Sequence, residues 1–356
     1  MRKIEKHPGA VYFGNDSWKK LQQIIDKQGA SSIAILVDEN TKNHCLSVFN
    51  AHIVLKNAPH IIQMNAGEEH KNIDSCLKVW QELSQIGFDR NALLINLGGG
   101  VVTDLGGFVA STYMRGIECI NIPTSLLAMV DAAVGGKNGV DLGVLKNQIG
   151  IIRDPLAVIV DTSFLKTLPE NQITSGFAEM LKHGLIYSND YWERLQNFNV
   201  QNISETETLI WESIEIKNEI VTEDQNEKGR RKTLNFGHTL GHAIESYCLK
   251  STHIPALLHG EAIAIGMILA LYISVEQEGF PKEKYAEATT RLLLVCGKVP
   301  FSKDDITEII KLLKHDKKNI AGAVLFVLLE DIGKNRLNKK VDETLILQSF
   351  EAYNNL

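Results

Sequence analysis

A short apolar segment that runs straight into three glycines sets the strongest limit on the fold of this chain. Residues Ala92–Leu97 read as a buried strand, and Gly98, Gly99 and Gly100 follow it before a helix-like segment that reaches Thr112. Such a turn brings free backbone N–H groups and the positive end of a helix dipole to one point, which suits a pyrophosphate. The turn matches neither the GxGxxG fingerprint nor a P-loop, so a tight packing turn is the alternative explanation.

Further strand-like and helix-like segments alternate through the first half of the chain. Strands are predicted at residues 32–37, 51–55, 60–64, 117–122 and 157–160, and a helix at residues 72–86. This alternation predicts a Rossmann-like α/β domain with a largely parallel sheet. Asp38, Asn40, Glu68 and Lys71 follow two of these strands, where polar side chains can contact a dinucleotide such as NAD.

The second half of the chain has a different pattern, because long segments with helical periodicity replace the alternation of strand-like and helix-like segments. Helices are predicted at residues 174–187, 205–223, 232–248, 259–277, 282–295 and 303–315, with one strand-like exception at residues 323–329. A chain of 356 residues also exceeds the usual size of a single core. We therefore predict an α/β domain at residues 1–168 and a mostly helical domain at residues 169–356, joined closely enough for both to border a cleft.

Three histidines in the helical half have the spacing of a metal site. Asn235, His238 and His242 lie three and four residues apart, so they share one face of the predicted helix. His259 opens the next helix and offers a third imidazole. Each histidine taken alone is more often a capping or core residue, but the three together favour a divalent metal in an active site.

Basic residues in glycine-rich or apolar surroundings form a second group of candidates. Lys137 follows a glycine pair and an apolar helix-like segment, and Arg115 and Lys146 lie nearby in the chain. Cations of this kind suit a phosphate or carboxylate substrate. Asp131 is a candidate for binding substrate hydroxyls, and a structural Asp131–Lys137 ion pair is the alternative.

Composition narrows the class of protein. The net charge of −6 gives no support to a nucleic-acid partner. The N-terminus lacks the apolar region of a signal peptide, and we expect no membrane span. The odd number of cysteines, all far apart, predicts reduced thiols in the cytoplasm; they are Cys45, Cys76, Cys119, Cys248 and Cys296.

Taken together, these motifs resemble those of the 3-dehydroquinate synthase family over nearly the whole chain. The resemblance rests on residues 98–150, 176–182, 235–242 and 258–261. That family belongs to the sugar phosphate cyclases and shares its architecture with glycerol-dehydrogenase-like metal enzymes. The resemblance implies a lyase of the shikimate pathway that converts 3-deoxy-D-arabino-heptulosonate 7-phosphate to 3-dehydroquinate and phosphate. It also implies catalytic NAD, a divalent metal (zinc or cobalt), and transient oxidation, β-elimination, reduction and an intramolecular aldol step.

The same resemblance assigns residues to roles. The metal ligands would be Glu179, His238 and His259, which moves His242 from the metal to the substrate. The catalytic residues would be Lys137, Lys182, Arg231, Asn235 and His242. Substrate contacts would add Arg115, Asp131, Lys146, Asn147, Glu179, Lys217 and one of Lys317 and Lys318. The NAD contacts would be Asp38, Asn40, Glu68, Lys71, Gly99, Gly100, Val101, Asp104, Thr124, Ser125, Phe164, Thr167 and Leu168.

The resemblance further implies a homodimer, because Arg115 matches an arginine that such dimers donate to the neighbouring subunit. Three other classes of protein remain as alternatives. One is a different sugar phosphate cyclase that makes an inosose or a valiolone, although Lys182, Asn235 and His242 together fit the dehydroquinate branch. A plain polyol dehydrogenase would need no lysines around a phosphate, and a non-enzymatic binding module would not need charged groups at so many motifs.

Overall fold

The computed structural model describes residues 1–5, 9–143, 145–313 and 324–356. Within these residues the chain forms two compact units. The first unit comprises Met1–Ile173 together with Ile210–Asn218, and the second comprises Thr174–Leu209 together with Glu219–Leu356. The segment Ile210–Asn218 therefore packs with the first unit although the chain around it belongs to the second.

The first unit alternates strands and helices. Its elements are β1 (Arg2–Ile4), β2 (Ala10–Phe13), α1 (Ser17–Gln28), β3 (Ile33–Asp38), α2 (Glu39–His44), α3 (Leu46–His52), β4 (His60–Met64), α4 (Ile73–Gln85), β5 (Leu93–Gly98), α5 (Gly100–Thr112), β6 (Glu118–Pro123), β7 (Lys137–Leu142), β8 (Leu145–Ile152) and β9 (Ala157–Val160). Seven of the strands form one sheet with the order β1-β2-β9-β6-β5-β3-β4, in which β1 is antiparallel to β2 and the other neighbours are parallel. The strands β7 and β8 form a separate antiparallel hairpin.

The core of this unit explains why its strands read as continuous apolar runs. Every residue of β5 is buried, as expected of a parallel strand covered on both faces. Helix α5 lies against the sheet so closely that a Cβ atom on Gly106 would come within 2.0 Å of Asn96 Oδ1. Asn96 in turn donates a hydrogen bond to Asn121 of β6 over 2.8 Å. These contacts hold α5 against β5, and β5 against β6, next to the glycine turn.

Some local predictions differ from the structure. The predicted strand at residues 51–55 is wrong, because α3 covers its start and Val54 is 81% exposed whereas only Ile53 is buried. The strands β1, β2, β7 and β8 were not predicted. In the hairpin β7–β8 the polar residues and glycines interrupt the alternation that would have indicated strands.

The elements after β9 are almost all helices. They are α6 (Glu170–Tyr187), α7 (Asn189–Arg194), α8 (Ile203–Glu223), α9 (His238–Cys248), α10 (His259–Glu278), α11 (Lys282–Cys296), α12 (Lys303–Leu313), the antiparallel hairpin β10 (Leu325–Asp331) and β11 (Lys334–Lys340), and α13 (Glu343–Asn354). The predicted fold class, a Rossmann-like α/β part followed by a mostly helical part, is confirmed.

Helix α10 lies at the centre of the second unit. It is long and apolar enough to pass a test for a membrane span by length and composition alone, but 72% of its apolar stretch is buried inside the protein, as in a core helix. Helix α9 packs directly on it, since a Cβ atom on Gly266 would lie 2.2 Å from the carbonyl oxygen of Gly237. The continuous helix predicted for residues 232–248 is wrong: Gly237 has a φ of 76°, and α9 begins only at His238.

Candidate active site

The carboxyl ends of five neighbouring parallel strands gather the residues that the sequence assigns to NAD. In open α/β sheets, ligands bind in the crevice outside these strand ends. The residues at or just after the strand ends are Asp38 and Asn40 at β3, Glu68 and Lys71 at β4, Gly99, Gly100, Val101 and Asp104 at β5, Thr124 and Ser125 at β6, and Phe164, Thr167 and Leu168 at β9.

The two explanations of the glycine turn apply to different glycines. A Cβ atom on Gly98 would come within 2.5 Å of Val102, so this glycine is required by packing. Cβ atoms on Gly99 and Gly100 would have their nearest neighbours at 3.3 Å, which is tight but not prohibitive. The backbone N–H groups of the first turn of α5 follow directly, and this helix N-terminus suits an anion.

Two of the residues assigned to NAD also have structural tasks. Asp38 caps α2, because its Oδ1 accepts a hydrogen bond from the Thr41 N–H over 2.7 Å. This interaction engages one carboxylate oxygen. Phe164 is 2% exposed and its ring packs edge-on against Trp18 at a centroid distance of 6.2 Å. Phe164 can therefore offer a cofactor its backbone but not its ring.

Lys71 connects residues that the sequence assigns to different ligands. Its Nζ donates to Asp104 Oδ2 over 2.6 Å and to Asn147 Oδ1 over 2.8 Å. Burial opposes the charged form of Lys71, but the carboxylates around it, Asp104 first, outweigh burial and raise its pKa. The lysine is therefore charged in a buried position. Lys71, which is assigned to NAD, thus holds the side chain of Asn147, which is assigned to the substrate.

Lys146 makes the complementary connection. Its Nζ donates to Glu68 Oε1 over 2.7 Å and to Asp141 Oδ2 over 3.2 Å. Asp141 is only 9% exposed, and burial raises the pKa of its carboxyl group while Lys146 and Lys71 oppose that rise. Asp141 was not among the residues predicted from the sequence.

The other substrate candidates of the first unit occupy varied positions. Asp131 pairs with Lys217, whose Nζ lies 2.7 Å from Asp131 Oδ1. Lys137 begins β7 and is exposed, contrary to the buried position that its apolar surroundings suggested. Arg115 is also exposed. It has a positive φ of 71°, and Met114 before it has a positive φ of 47°.

In the second unit, α6 presents Glu179 and Lys182 one helical turn apart. Glu179 is 0% and Lys182 is 1% exposed, and Lys182 Nζ pairs with Glu179 Oε2. Charged side chains are almost never buried so deeply unless they are paired or bind a metal. This buried ion pair therefore fixes the carboxylate in one orientation.

Two histidines approach the other oxygen of the same carboxylate. Glu179 Oε1 lies 3.6 Å from His238 Nε2 and 3.7 Å from His259 Nε2. These distances are long for hydrogen bonds, but two ligands at the usual bond lengths of a tetrahedral zinc ion lie about 3.4 Å apart. The mixed nitrogen and oxygen donor set therefore fits a divalent ion such as zinc or cobalt.

Close packing of glycines brings these three ligands together. A Cβ atom on Gly260 would lie 1.9 Å from the carbonyl oxygen of Ser175, so the first turn of α10, with His259, lies directly on α6. The Gly260 N–H also donates to Ser175 Oγ over 2.9 Å. The close approach of α9 to α10 then places His238 beside His259, with their ring centroids 5.7 Å apart.

The second nitrogen of each histidine ring is held by an acceptor. His238 Nδ1 lies 3.1 Å from the carbonyl oxygen of Phe236, and His259 Nδ1 lies 3.2 Å from Glu245 Oε2. Such contacts fix the ring orientation and leave Nε2 for the metal. Glu245 was not among the residues predicted from the sequence. Its position seven residues after His238, on the same helical face, is the signal that could have found it.

His242 lies close enough to the other two histidines to be either a metal ligand or a substrate contact. The ligand atoms of His238, His242 and His259 lie within 4.8 Å of one another, so a three-histidine site is geometrically possible. Glu179 nevertheless offers the negative charge that a divalent ion needs. Its Oε1 also lies only 3.6 Å from His238 Nε2 and 3.7 Å from His259 Nε2.

The remaining candidates of the second unit lie just before α9. Asn235 ends a 3-10 turn and donates to Glu227 Oε1 over 2.6 Å, so it is not on the helix that carries the histidines. Arg231, in the same turn, is 1% exposed and donates to the carbonyl oxygen of Gln225 over 2.8 Å. Lys317 and Lys318 lie outside the described residues.

The electrostatics of the cluster favour a cation. Burial alone would lower the pKa of His259, but the carboxylates of Glu245 and Glu179 raise it to about 10. Without a metal, a proton on His259 thus supplies positive charge to this region. A divalent ion would supply more positive charge and displace that proton.

The fold and the cluster define a class: a Rossmann-like α/β unit with a mostly helical unit that carries a candidate metal site.

Comparison with known proteins gives the family. The model of the 3-dehydroquinate synthase N-terminal region matches residues 61–175, and that of the C-terminal region matches residues 176–319. The chain is 41% identical to a 3-dehydroquinate synthase from Parabacteroides distasonis over 96% of this chain and 97% of the relative. It is 39% identical to one from Pyrococcus abyssi over 92% and 95%. The chain belongs to the 3-dehydroquinate synthase family.

Solved structures agree with the fold. A 2-deoxy-scyllo-inosose synthase, solved with carbaglucose-6-phosphate, NAD+ and Co2+, has a TM-score of 0.81 and 26% identity over 98% of this chain and 96% of its own. A 2-epi-5-epi-valiolone synthase from Streptomyces hygroscopicus, with NAD+ and Zn2+ bound, has a TM-score of 0.86 and 22% identity over 100% and 99%.

These comparisons confirm the family that the motifs indicated, and with it the predicted enzyme class and activity, a lyase of the 3-dehydroquinate synthase type. The individual site residues remain predictions.

Proposed function

We propose that this chain converts 3-deoxy-D-arabino-heptulosonate 7-phosphate to 3-dehydroquinate and phosphate, with NAD and a divalent ion, zinc or cobalt, as cofactors. The observation that carries the proposal is the cluster of Glu179, His238 and His259, whose spacing fits one shared ion. The related cyclases solved with NAD+ and either Co2+ or Zn2+ support the choice of cofactors.

The helical unit would contribute the metal site. When bound, the ion would lower the pKa of two substrate hydroxyls while NAD accepted a hydride and returned it within the turnover. Lys182 pairs with Glu179 and fixes its carboxylate, and Glu245 and the carbonyl oxygen of Phe236 orient the histidines. Asn235 and His242 would hydrogen-bond the substrate.

The α/β unit would bind NAD along the carboxyl edge of its sheet, at the residues gathered there. Its lysines, Lys137 and Lys146, would hold anionic groups of the substrate. Arg231 is a further candidate for that role. Negative charge develops on the phosphate as it leaves, and fixed cations stabilise that charge. Asp131, held by Lys217, would accept hydrogen bonds from substrate hydroxyls.

The proposal includes a cytoplasmic homodimer in which Arg115 reaches the neighbouring subunit. Arg115 is exposed, and the two consecutive residues with positive φ hold its loop in an unusual, defined conformation. Sedimentation of the purified protein at micromolar concentration should give a dimer. A monomer with undiminished activity would contradict this part of the proposal.

The reaction is tested by measuring phosphate release from the heptulosonate phosphate beside hexose phosphates and heptose phosphates that lack the carboxylate. Release from the heptulosonate phosphate alone, without net NADH, is the expected result. Release from the other sugar phosphates would indicate an inosose- or valiolone-forming cyclase. Stoichiometric accumulation of NADH without phosphate release would indicate a polyol dehydrogenase.

A further inference from the structure

Asp141 occupies an irregular point of the hairpin β7–β8. The pairing of the two strands shifts between Val140 and Leu142, so Asp141 faces extra residues of β8. One of these, Asn147, has a φ of 50°, a left-handed conformation that few residue types other than glycine and asparagine adopt easily. Such a bulge interrupts the ladder, so its backbone groups need other hydrogen-bond partners.

The side chain of Asp141 provides these partners. Its Oδ1 accepts a hydrogen bond from the Asn147 N–H over 2.6 Å, and its Oδ2 accepts from Lys146 Nζ over 3.2 Å. A single carboxylate thus fixes the backbone of Asn147 and the side chain of Lys146. Both of these residues are proposed substrate contacts.

The backbone of Asp141 joins the hairpin to a second segment. Its N–H donates to the carbonyl oxygen of Lys71 over 2.9 Å, and Asp141 forms a parallel bridge with Asn72. This segment follows β4 and carries Glu68 and Lys71, the proposed NAD contacts. Asp141 therefore lies where the cofactor segment and the substrate hairpin meet.

Two lysines cross between the same segments in opposite directions. Lys71 of the cofactor segment donates to Asn147 of the hairpin, and Lys146 of the hairpin donates to Glu68 of the cofactor segment. The side chains of Lys71 and Lys146 are each 6% exposed, whereas that of Glu68 is 34% exposed. Glu68 is thus the accessible end of the network, where a hydroxyl group of a ligand can compete for its carboxylate.

We propose that Asp141 is a positioning residue that couples cofactor binding to substrate binding through Lys146. This inference rests on the proposed function. When a hydroxyl group of the cofactor binds the Glu68 carboxylate, Lys146 loses its contact with Glu68 and keeps its contact with Asp141. The ammonium group of Lys146 can then bind an anionic substrate. Asp141 meanwhile keeps Asn147 in its left-handed conformation, so the hairpin retains its shape as the charge is redistributed.

The coupling must be reciprocal, because binding free energies are linked. NAD should raise the affinity for the anionic substrate, and the substrate should raise the affinity for NAD by the same factor. A phosphonate analogue of the substrate, which cannot release phosphate, allows both affinities to be measured without turnover.

The test is the variant Asp141→Asn, whose amide oxygen can still accept from the Asn147 N–H but carries no charge. In the unaltered protein, a saturating amount of the phosphonate should tighten NAD binding by about fivefold or more, as measured by calorimetry. In Asp141→Asn we expect this factor to fall below about twofold, and KM for the heptulosonate phosphate to rise about tenfold with kcat changed far less. The matched control is Glu118→Gln, which removes a more exposed ion pair with Arg153 in the same unit.

A double-mutant cycle with Lys146→Met distinguishes positioning from general support of the fold. If Asp141 acts through Lys146, adding Asp141→Asn to Lys146→Met should change KM by less than about twofold. A full additional effect in that background would overturn the proposal. So would normal coupling in Asp141→Asn.

Two further outcomes are decisive. If Asp141→Asn and Asp141→Ser both fail to fold while Lys146→Met folds, Asp141 is a structural residue and the inference is wrong. If the unaltered protein releases no phosphate from the heptulosonate phosphate, the proposed function fails instead, which is a separate result from the behaviour of the variants.

Discussion

Glu245 and His259 lie on consecutive helices, and Glu245 Oε2 is 3.2 Å from His259 Nδ1. Since His259 Nε2 points towards Glu179 Oε1 at 3.7 Å, the imidazole lies between two carboxylates. One carboxylate orients the ring and the other shares the candidate metal site with it. The arrangement is that of a carboxylate–histidine–metal relay, in which the outer carboxylate also makes the ring a better ligand.

Glu245→Gln should weaken metal binding. The amide can still contact His259 Nδ1, but it no longer makes the imidazole more basic, so we expect a loss of about tenfold to 100-fold in zinc affinity. Competition with a chromophoric chelator measures this directly. Glu276→Gln, an exposed change on α10, is the matched control. Equal zinc affinity in Glu245→Gln and the unaltered protein would show that this carboxylate does not support the site.

Metal binding should release a proton from His259. The pKa of His259 is raised from 6.5 to about 10 in the metal-free protein, so the ring is protonated at pH 8 in the folded state. Stabilisation by this charge is complete below pH 6.5 and is lost as the pH rises towards 10. Calorimetric titration of zinc at pH 8, in buffers with different ionisation enthalpies, counts the protons released. His259→Gln should release about one proton fewer. The same proton count in both proteins would contradict this assignment.

Lys137→Ala should depress turnover while NAD binding survives. Lys137 begins the hairpin β7–β8, apart from the glycine turn that follows β5. Loss of a cation that stabilises the departing phosphate should lower kcat by about two orders of magnitude. Phosphate release and NAD titration measure the two effects separately, with the exposed Lys27→Ala as the control. Near-normal phosphate release by Lys137→Ala would mean that the phosphate is held elsewhere.

Asp305→Asn should destabilise the protein at neutral pH. Asp305 accepts hydrogen bonds from the hydroxyl of Tyr247, from His253 Nε2 over 2.8 Å and from the Ser302 N–H over 2.7 Å. Loss of the charged acceptor should cost about 1–3 kcal/mol in the free energy of unfolding, measured with urea. The exposed neighbour variant Asp304→Asn should leave this free energy nearly unchanged.

The same substitution has a defined pH dependence. Burial would raise the pKa of Asp305, but the hydrogen bonds from Tyr247 and Ser302 outweigh it and lower the pKa from 3.8 to about 2. The stabilisation is therefore present above pH 3.8 and is lost as the pH falls towards 2. The difference in the free energy of unfolding between Asp305→Asn and the unaltered protein should become smaller as the pH falls over this range. A constant difference would show that the carboxylate charge is not responsible.

Local signals were sufficient for the strand Leu93–Gly98, the glycine turn and the long helices α6, α8, α10 and α11, because these depend on periodicity over a few residues. Shorter helices such as α1, α7 and α13 were not predicted. Local signals also failed where neighbours distant in sequence decide the conformation. Asn235 was placed on the helix of His238, but Gly237 has a positive φ and α9 starts after it. The approach of Met267 to Gly237, within 2.4 Å of where its Cβ would lie, explains why only glycine fits there. That contact comes from another helix and leaves no local pattern.

The sequence by itself determined the fold class, the family and the types of side chain available for chemistry, since glycine turns, histidine spacing and strand periodicity are local properties. Tertiary structure decided which of these side chains meet. Glu179 and His259 are far apart in the chain, and the packing of Gly260 on Ser175 brings them close together. Glu245 and Asp141 acquire their importance in the same way. An acidic residue becomes a positioning group through the atoms that reach it, and those atoms come from other segments of the chain.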